Sequence, residues 1–344
     1  MSVSTDELQG DPLYRPKSFL RVATGRGRDP LEEIEALAPD VVHVHNLFPN
    51  YGRRWVEQLR VPFVATLHNF RPICAKATLF RDGELCTSCP DGDRWAGLRY
   101  ACYADSRLAT LPLTWANRHG PPADPVLSRA RRLVVLSERA RAVFSASGIG
   151  GRSFVVGPNF LPAALDPGAT PETSSRGWLY VGRFSPEKGI VPLLQAWPRD
   201  HRLTVVGDGP EALTVRELAR GRDVEVVGAL PRADVLTLMR DRVGLVLPSL
   251  GLEGPPLVYV EALAAGLPVL AFGTSLVADV VTDEGTGARA EWQRPLAEVL
   301  EQAEDRFPDL RAVCRSSFEE RYSEQAYIDG TRELYDRVLA EAAT

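Results

Sequence analysis

Five short apolar segments, separated by stretches of helical periodicity, follow one another through the second half of the chain. They lie at 178–182, 203–206, 224–227, 243–247 and 268–272. This alternation constrains the fold strongly, because buried strands that alternate with helices are satisfied by a parallel sheet covered by helices on both faces. We therefore predict a doubly wound α/β domain in this half of the chain.

The first half carries a shorter version of the same pattern. An amphipathic helix with Leu31, Ile34 and Leu37 on one face precedes an apolar run at 41–45, and a second helix at about 51–60 precedes the run 63–67. Segment 161–177 is rich in Pro, Ala, Ser and Thr and is typical of a linker. These features predict two domains, 1–160 and 161–344, the first with a cysteine-rich insertion at 70–107.

Composition and charge narrow the class of protein. No apolar run approaches the roughly 20 residues that span a bilayer, and the polar N-terminus does not resemble a secretion signal, so we expect a cytoplasmic protein. The net charge of −5 divides into +5 over residues 1–160 and −10 over the remainder. The basic half favours peripheral contact with an anionic membrane at its inner face, although chance composition explains the asymmetry equally well.

Four turns of the second domain follow strands directly, at the sheet edge where α/β proteins bind ligands. The turn after 178–182 contains Arg183 and Lys188, a forked donor and a compact charge that suit a diphosphate. The chain contains 3 lysines, one of which is Lys188, and 37 arginines. Because lysine is so rare here, its presence argues against the alternative that this turn only carries charge and caps a helix. The other turns carry Gly207 with Asp208, Leu230, and the segment 248–257.

The last of these turns leads into a short apolar helix with two acidic residues nearby. Glu253 precedes the helix and Glu261 lies within it, eight residues later. Pro255 and Pro256 suit its first turn, and Gly266 suits its left-handed end. A carboxylate on an otherwise apolar helix needs an ion-pair or hydrogen-bond partner, or a cleft that is open to water. The alternative for each acid is an ordinary surface or capping role.

Taken together and in order, these turns and the E-x7-E pair resemble the donor domain of the retaining glycosyltransferases of family 4. The resemblance implies the GT-B fold, in which two Rossmann-like domains with doubly wound parallel sheets face a cleft, and a final helix, here about 322–343, packs back on the first domain. It also implies transfer of a sugar from a nucleoside-diphosphate sugar with retention of configuration, and no metal ion in catalysis. The acceptor, whether a sugar, a lipid-linked or a small molecule, is not identified, and nothing indicates nucleic acid.

The resemblance also assigns roles to individual residues. Arg183 and Lys188 would bind the donor diphosphate, the backbone near Leu230 the base and Glu261 the ribose. Glu253 would face the donor sugar. The residues that follow it would meet the sugar and phosphates: Gly254, Pro255, Pro256 and Leu257. The usual run after the first acid is Gly-Phe-Gly or Gly-Phe-Pro, and Gly-Pro-Pro replaces it here.

Histidines mark the strand ends of the first domain. His68 ends the run 63–67 in the T-x-H position of the family, where a histidine contacts the donor sugar. His45 and Asn46 end the preceding run and are candidates for the acceptor side. His43 lies inside the same run, where a histidine is usually a satisfied core residue.

The cysteine-rich insertion contains four of the five cysteines: Cys74, Cys86, Cys89 and Cys102. Their C-x11-C-x2-C-x12-C pattern lies in a Gly- and Asp-rich stretch without hydrophobic periodicity. In a cytoplasmic protein this pattern indicates a structural zinc site, with free thiols or redox pairs as the alternatives.

The beginning of the chain departs from the family. Relatives start with a strand and a glycine-rich loop ahead of the segment that matches 31–45, so the first domain is truncated relative to them. We therefore expect the chain as given to bind a sugar nucleotide with little transfer by itself, unless Phe19–Ala23 replaces the lost strand. The alternatives to a transferase are a non-catalytic sugar-nucleotide-binding partner subunit or degenerate relative, and a GT-B sugar-nucleotide epimerase.

Overall fold

The computed structural model describes residues 10–149, 154–168, 177–252 and 254–342. The chain divides into two compact units. Unit 1 consists of Met1–Arg81, Cys86–Gly157 and Thr331–Thr344, and unit 2 consists of Asp82–Leu85 and Pro158–Gly330. The main division falls after residue 157, and the C-terminal segment belongs to unit 1.

Unit 1 is built on a parallel four-stranded sheet in the order β1-β2-β5-β6. The cysteine-rich segment contains a separate two-stranded pair, β3-β4. The strands in this part of the chain are β1 (Val42–His45), β2 (Phe63–Leu67), β3 (Phe80–Arg81), β4 (Glu84–Leu85), β5 (Arg132–Val135) and β6 (Phe154–Val156). The helices are α1 (Tyr14–Thr24), α2 (Leu31–Leu37), α3 (Ala96–Arg99), α4 (Arg107–Asn117), α5 (Pro125–Arg129) and α6 (Glu138–Ala146).

The sheet of unit 1 is covered on one face by the end of the chain. Val64 of β2 and Val134 of β5 form a buried cluster with Leu334 and Val338. Because side chains alternate along a strand, Ala65 and Leu67 point to the opposite face. That face holds the cavity described below.

One sequence prediction for this unit is wrong, and one alternative that the sequence left open is not observed. The helix expected at 51–60 is only a 3-10 turn at Arg54–Glu57, which buries Trp55 and Val56. Phe19–Ala23 lies within helix α1 and supplies no strand. The helix ends at Gly25, whose left-handed backbone (φ 70°) lets its N–H bond to the carbonyl of Arg21.

Unit 2 contains a parallel six-stranded sheet in the order β12-β11-β10-β7-β8-β9. Its strands are β7 (Trp178–Val181), β8 (Leu203–Val206), β9 (Val224–Gly228), β10 (Leu245–Leu247), β11 (Val269–Phe272) and β12 (Gly287–Ala290). The helices are α7 (Ile190–Ala196), α8 (Ala212–Ala219), α9 (Arg232–Met239), α10 (Leu257–Ala264), α11 (Leu276–Asp283), α12 (Leu296–Ser317) and α13 (Glu324–Ala342), the last of which ends in unit 1. Strand β12 has the half-polar sequence Gly-Ala-Arg-Ala and carries no apolar signal, which is why the sequence did not reveal it.

The strand order of unit 2 reverses between β7 and β10, which lie side by side at the centre of the sheet. Chain connections leave these two strands in opposite directions across the sheet. In doubly wound proteins, this reversal opens a crevice outside the carboxyl ends of the two strands, and ligands bind there. The topology therefore predicts a ligand site at the turns after β7 and β10.

Helix α10 follows the second of these turns and lies in the core. It begins at Leu257, so Pro255 and Pro256 precede its first turn and do not lie within it. After its end, Gly266 adopts the left-handed conformation (φ 66°), and the N–H of Leu267 bonds to the carbonyl of Ala262 at 2.8 Å. This closure was expected for Gly266 and turns the chain directly into β11.

None of the helices in the described ranges combines the length and the apolar character needed to cross a membrane.

Candidate functional site

The turns after β7, β8 and β10 meet at one edge of the unit 2 sheet. The N–H of Phe184, after β7, donates to the carbonyl of Asp208, after β8, at 2.9 Å. The N–H of Leu250, after β10, donates to the carbonyl of Glu187 at 2.9 Å. Main-chain hydrogen bonds thus join three turns that are distant in sequence into one surface beside the reversal of strand order.

Two glycines are necessary for this close approach. Gly207 has φ +146°, and a Cβ there would lie 1.9 Å from the carbonyl oxygen of Gly182. Gly189 has φ +70°, and a Cβ would lie 2.0 Å from the carbonyl oxygen of Pro248. No other residue type fits either position without moving the neighbouring turn, so glycine is required by packing as well as by backbone conformation.

The basic residues expected to bind a diphosphate lie on this surface. Arg183 is exposed in the turn after β7, and Lys188 is half-buried in the 3-10 turn Pro186–Lys188. Asp208 is exposed in the turn after β8, where its side chain accepts a hydrogen bond from the N–H of Gly209 at 2.8 Å. Leu230 follows β9 and is half-buried against the apolar core.

Glu261 has a partner that the sequence did not reveal. Its side chain is buried, and its Oε1 lies 2.5 Å from Nε of Arg232, in the first turn of α9. The contact has the separation of an ion pair, although Nε does not have the orientation of a hydrogen-bond donor to this oxygen. A strong partner was expected for a carboxylate on an apolar helix, but the packing of α9 beside α10 decides which residue supplies it.

The segment before α10 is held by a side-chain amide. Asn159 donates from Nδ2 to the carbonyl of Pro255 at 2.9 Å. Pro255 is buried, Gly254 and Pro256 are half-buried, and Leu257 is exposed. Glu253, the first acid of the pair, lies outside the described residues. Its role therefore stays a prediction.

A second pair of acidic residues lies beside the turn after β7. Burial, and then the nearby Glu187 carboxylate, raise the pKa of Glu211 above its ordinary value. Glu187 in turn accepts a hydrogen bond from the hydroxyl of Ser185 at 2.7 Å. The sequence analysis did not identify either acid as a site residue. Glu211 belongs to a Gly-Pro-Glu run directly before α8, and such a run indicates only the start of a helix.

Unit 1 contains a cavity of about 140 Å³ that is open to solvent. Two of the candidates, His68 and Asn46, line it together with Asn69, at the carboxyl ends of β1 and β2. The third candidate, His45, lies next to His68 and is not among the described residues that line the cavity. The cavity wall is formed by apolar side chains from the sheet and from α4 and α5: Val44, Ala65, Leu67, Leu113 and Leu127. The cavity thus combines an apolar wall with polar strand ends.

Three arginines also line this cavity: Arg21, Arg53 and Arg71. Arg53 forms an ion pair with Asp124. Arg71 packs its guanidinium over the ring of Phe48, 4.3 Å from the centroid, and burial lowers the pKa of Arg71. Arg21 donates to the carbonyl of Pro49 at 3.0 Å. Among the described residues, no carboxylate forms an ion pair with Arg21 or Arg71, so both bring positive charge to the cavity.

His43, inside β1, and the strand-end residues His45 and His68 form a connected row. Nδ1 of His45 lies 2.9 Å from Nε2 of His68, which is hydrogen-bonding distance, and the rings of His43 and His45 are 4.1 Å apart. Burial lowers the pKa of His43 to about 3. Partial desolvation also lowers the pKa of His45 and His68, although both side chains remain exposed to solvent. His43 is hydrogen-bonded to Thr66 and Tyr335, as expected for a core histidine.

The four cysteines of the insertion line one small cavity together with Lys76 and Arg81. All are free thiols. In the described part of the chain, no three or more His, Cys, Asp or Glu side chains are arranged to hold a metal ion as they stand. The structure therefore brings the predicted ligands together without a preformed coordination geometry.

Two family descriptions match this chain. "Glycosyltransferase Family 4" matches residues 6–164, and "Glycosyl transferases group 1" matches residues 170–312. Among curated relatives, an exopolysaccharide phosphotransferase of Streptomyces coelicolor is 31% identical over 259 residues, which are 69% of this chain and 26% of that protein. A glycogen synthase of Mycobacterium tuberculosis is 31% identical over 205 residues, 52% of this chain and 49% of that protein. The matches thus span between about a quarter and a half of these relatives' lengths.

Solved structures show the same fold. A sucrose-phosphate synthase from Thermosynechococcus elongatus superposes with a TM-score of 0.62 at 18% identity, over 90% of this chain and 76% of that one. HepE of Anabaena, solved with UDP, superposes with a TM-score of 0.60 at 18% identity, over 89% and 81%. The two family matches follow one another over most of the sequence, and the two parallel sheets are those of the matching fold. This chain therefore belongs to the family-4 glycosyltransferases of the GT-B fold.

Proposed function

We propose that this protein transfers a sugar from a nucleoside-diphosphate sugar to an acceptor hydroxyl, with retention of the anomeric configuration. The observation that carries the proposal is the convergence of the turns after β7, β8 and β10 beside the reversal of strand order in unit 2. That surface presents Arg183 and Lys188 where a doubly wound sheet binds its ligand. HepE of Anabaena, which shares the fold, was solved with UDP.

In the proposed reaction, the donor diphosphate lies against the turn after β7. Arg183 and Lys188 stabilise the negative charge that grows on the diphosphate as the bond to the sugar breaks. The N–H groups at the start of α10 face the same negative charge with the positive end of the helix dipole. Glu261 receives the ribose hydroxyls and is held in place by Arg232. These groups serve the leaving diphosphate, so activity is expected without added Mg²⁺ or Mn²⁺.

We place the acceptor in the cavity of unit 1. Its apolar wall suits a hydrocarbon portion, and the guanidinium groups of Arg21 and Arg71 suit a phosphate or carboxylate. An acceptor with both features, such as a lipid-linked sugar phosphate, uses the whole cavity. His68 lines the cavity at the carboxyl end of β2, where the reacting hydroxyl is expected, and offers it a ring nitrogen as a hydrogen-bond partner. The basic charge of this half of the chain is consistent with a membrane surface as the source of the acceptor.

The test is turnover of a panel of UDP-, GDP-, ADP- and TDP-sugars with acceptors that do or do not carry a phosphate group on a lipid chain. Mass detection identifies the product, and the coupling constant of its anomeric proton reports the configuration. We expect one nucleotide to be preferred, the configuration to be retained and phosphate-bearing acceptors to be favoured. An inverted product contradicts retention. Binding of sugar nucleotides with little or no turnover of any pair is the behaviour expected from the sequence for the chain by itself, and it supports the non-catalytic subunit over the transferase.

A further inference from the structure

The cysteine-rich segment has little regular secondary structure and many non-glycine residues with positive φ angles. Within the described residues, six non-glycine positions between 77 and 105 have positive φ angles: Ala77, Leu79, Asp82, Ala101, Ala104 and Asp105. Each such position is unfavourable for an L-residue and persists where surrounding structure holds it. Regular secondary structure between β2 and α4 is limited to two two-residue strands and one four-residue helix. A cross-link would therefore stabilise this segment in addition to its buried apolar side chains, such as Leu79 and Phe80.

The four cysteines are placed where one cross-link would supply that stability. Cys74 follows β2, Cys86 and Cys89 follow the β3-β4 pair, and Cys102 follows α3. All four nevertheless line one cavity, which has room for about one water-sized particle. A cavity of that size suits a single ion and excludes an organic ligand.

We propose that this cavity is a structural zinc site in which Cys74, Cys86, Cys89 and Cys102 are the four ligands. Zinc binds four thiolates tetrahedrally at about 2.3 Å, and the C-x2-C spacing of the central pair is common among such sites. Because the side chains are not in a coordination geometry as they stand, binding requires side-chain rotations that draw the four sulfur atoms onto one point.

The charges around the cavity are consistent with this site. A zinc ion with four thiolates carries a charge of −2, and Lys76 and Arg81 line the same cavity with two positive charges. Cysteine binds zinc as the thiolate, so the ion displaces a proton from each of the four thiols, and the two basic side chains balance the resulting charge.

The site would also fix one wall of the unit 1 cavity. Arg71, three residues before Cys74, lines that cavity and packs against Tyr103, the residue after Cys102, at 5.2 Å from the ring centroid. A zinc ion that joins the two ends of the segment therefore holds Arg71 and Tyr103 in register. The metal has no part in the transfer step proposed above, so zinc content and catalysis are independent observations.

The primary experiment is elemental analysis of the full chain purified without added metal. We expect about one zinc per chain, and a fall to less than about a tenth of that in the Cys86→Ser/Cys89→Ser variant. The matched control is Cys314→Ser. Cys314 is a buried cysteine of unit 2 whose thiol lies against the carbonyl of Thr286 at 3.3 Å, so its loss should leave the zinc content unchanged.

A second measurement covers the case in which the double variant fails to fold. Wild-type protein is titrated with a mercurial reagent while released zinc is followed with a coloured chelator, and the blocked thiols are located by mass spectrometry. We expect zinc release to parallel modification of the four insertion cysteines, and Co²⁺-substituted protein to show the strong thiolate-to-cobalt absorption of a tetrahedral site. Absence of zinc with all thiols reactive, or mass loss from disulfides joining these cysteines, overturns the proposal.

Discussion

Arg183 and Lys188 bring the positive charge of the turn after β7 to the surface beside the strand-order reversal. We expect Arg183→Ala and Lys188→Ala each to weaken nucleoside-diphosphate binding by about 1.5–3 kcal/mol, the range for a hydrogen bond to a charged group. This corresponds to roughly a ten- to hundredfold increase in Kd, measured by calorimetry. The control is Arg202→Ala, because Arg202 precedes β8 at the opposite edge of the sheet. Unchanged affinity in both test variants would contradict the diphosphate assignment.

Glu261 and Arg232 give a second prediction at the scale of residues. Removing the arginine leaves a buried carboxylate without its ion pair, so we expect Arg232→Ala to lower the free energy of unfolding by about 1–3 kcal/mol. The cost stays below that of a fully buried pair because about a third of the Arg232 side chain is exposed. Urea unfolding measures it. In a double-mutant cycle with Glu261→Gln, the two losses should be less than additive, and full additivity would show that the pair is not coupled.

At the scale of elements, the turns after β7 and β10 pack so closely that side chains are excluded between them. A comparison of Gly189 with Gly221 distinguishes this steric effect from backbone strain. Their φ angles are nearly equal, +70° and +72°. Of the two, only Gly189 has atoms within 4 Å of the position that an added Cβ would occupy. We expect Gly221→Ala to cost about 1 kcal/mol in the free energy of unfolding, from the left-handed backbone alone. Gly189→Ala should cost several times more, because its Cβ would displace Pro248.

The same pair of variants should differ in ligand binding. Displacement of Pro248 disturbs the turn after β10, so Gly189→Ala is expected to weaken nucleotide binding at least as much as Lys188→Ala, while Gly221→Ala leaves it unchanged. Calorimetry on the folded variants, with circular dichroism to confirm the fold, makes the comparison. Equal losses of stability and of affinity in the two variants would show that strain, not contact between the turns, determines the cost.

At the scale of the whole molecule, the donor nucleotide should protect the backbone amides of unit 2 from hydrogen exchange. A ligand that binds only the native form stabilises it by about 2.7 kcal/mol at a hundredfold excess over Kd. Hydrogen exchange with UDP, GDP and ADP in turn should therefore slow at residues 182–189 and 248–257 of unit 2. Residues 46–53, beside the unit 1 cavity, should respond to acceptors and not to nucleotide alone. Protection confined to unit 1 would contradict the placement of the donor.

The sequence by itself predicted β1 and β2 of unit 1, the strands of unit 2 apart from β12, and the turns that carry the site candidates. These depend on local apolar runs and on glycine and proline, whose preferences act over a few residues. The sequence did not predict the short 3-10 turn at 54–57. The positions of the buried residues Trp55 and Val56 in the sequence resemble the apolar pattern of an amphipathic helix. Helix α1 was also missed, because a short apolar stretch does not distinguish strand from helix.

Only the tertiary structure decided which residues meet. The strand order puts β7 beside β10, although more than sixty residues separate them, and so joins the turns that hold Lys188 and Pro248. Packing of α9 on α10 assigns Arg232 to Glu261, and the fold of the insertion gathers four cysteines around one cavity. The physical reason is common to all of these contacts. They form between segments far apart in the chain, and local backbone and side-chain preferences carry no information about which distant segment becomes the neighbour.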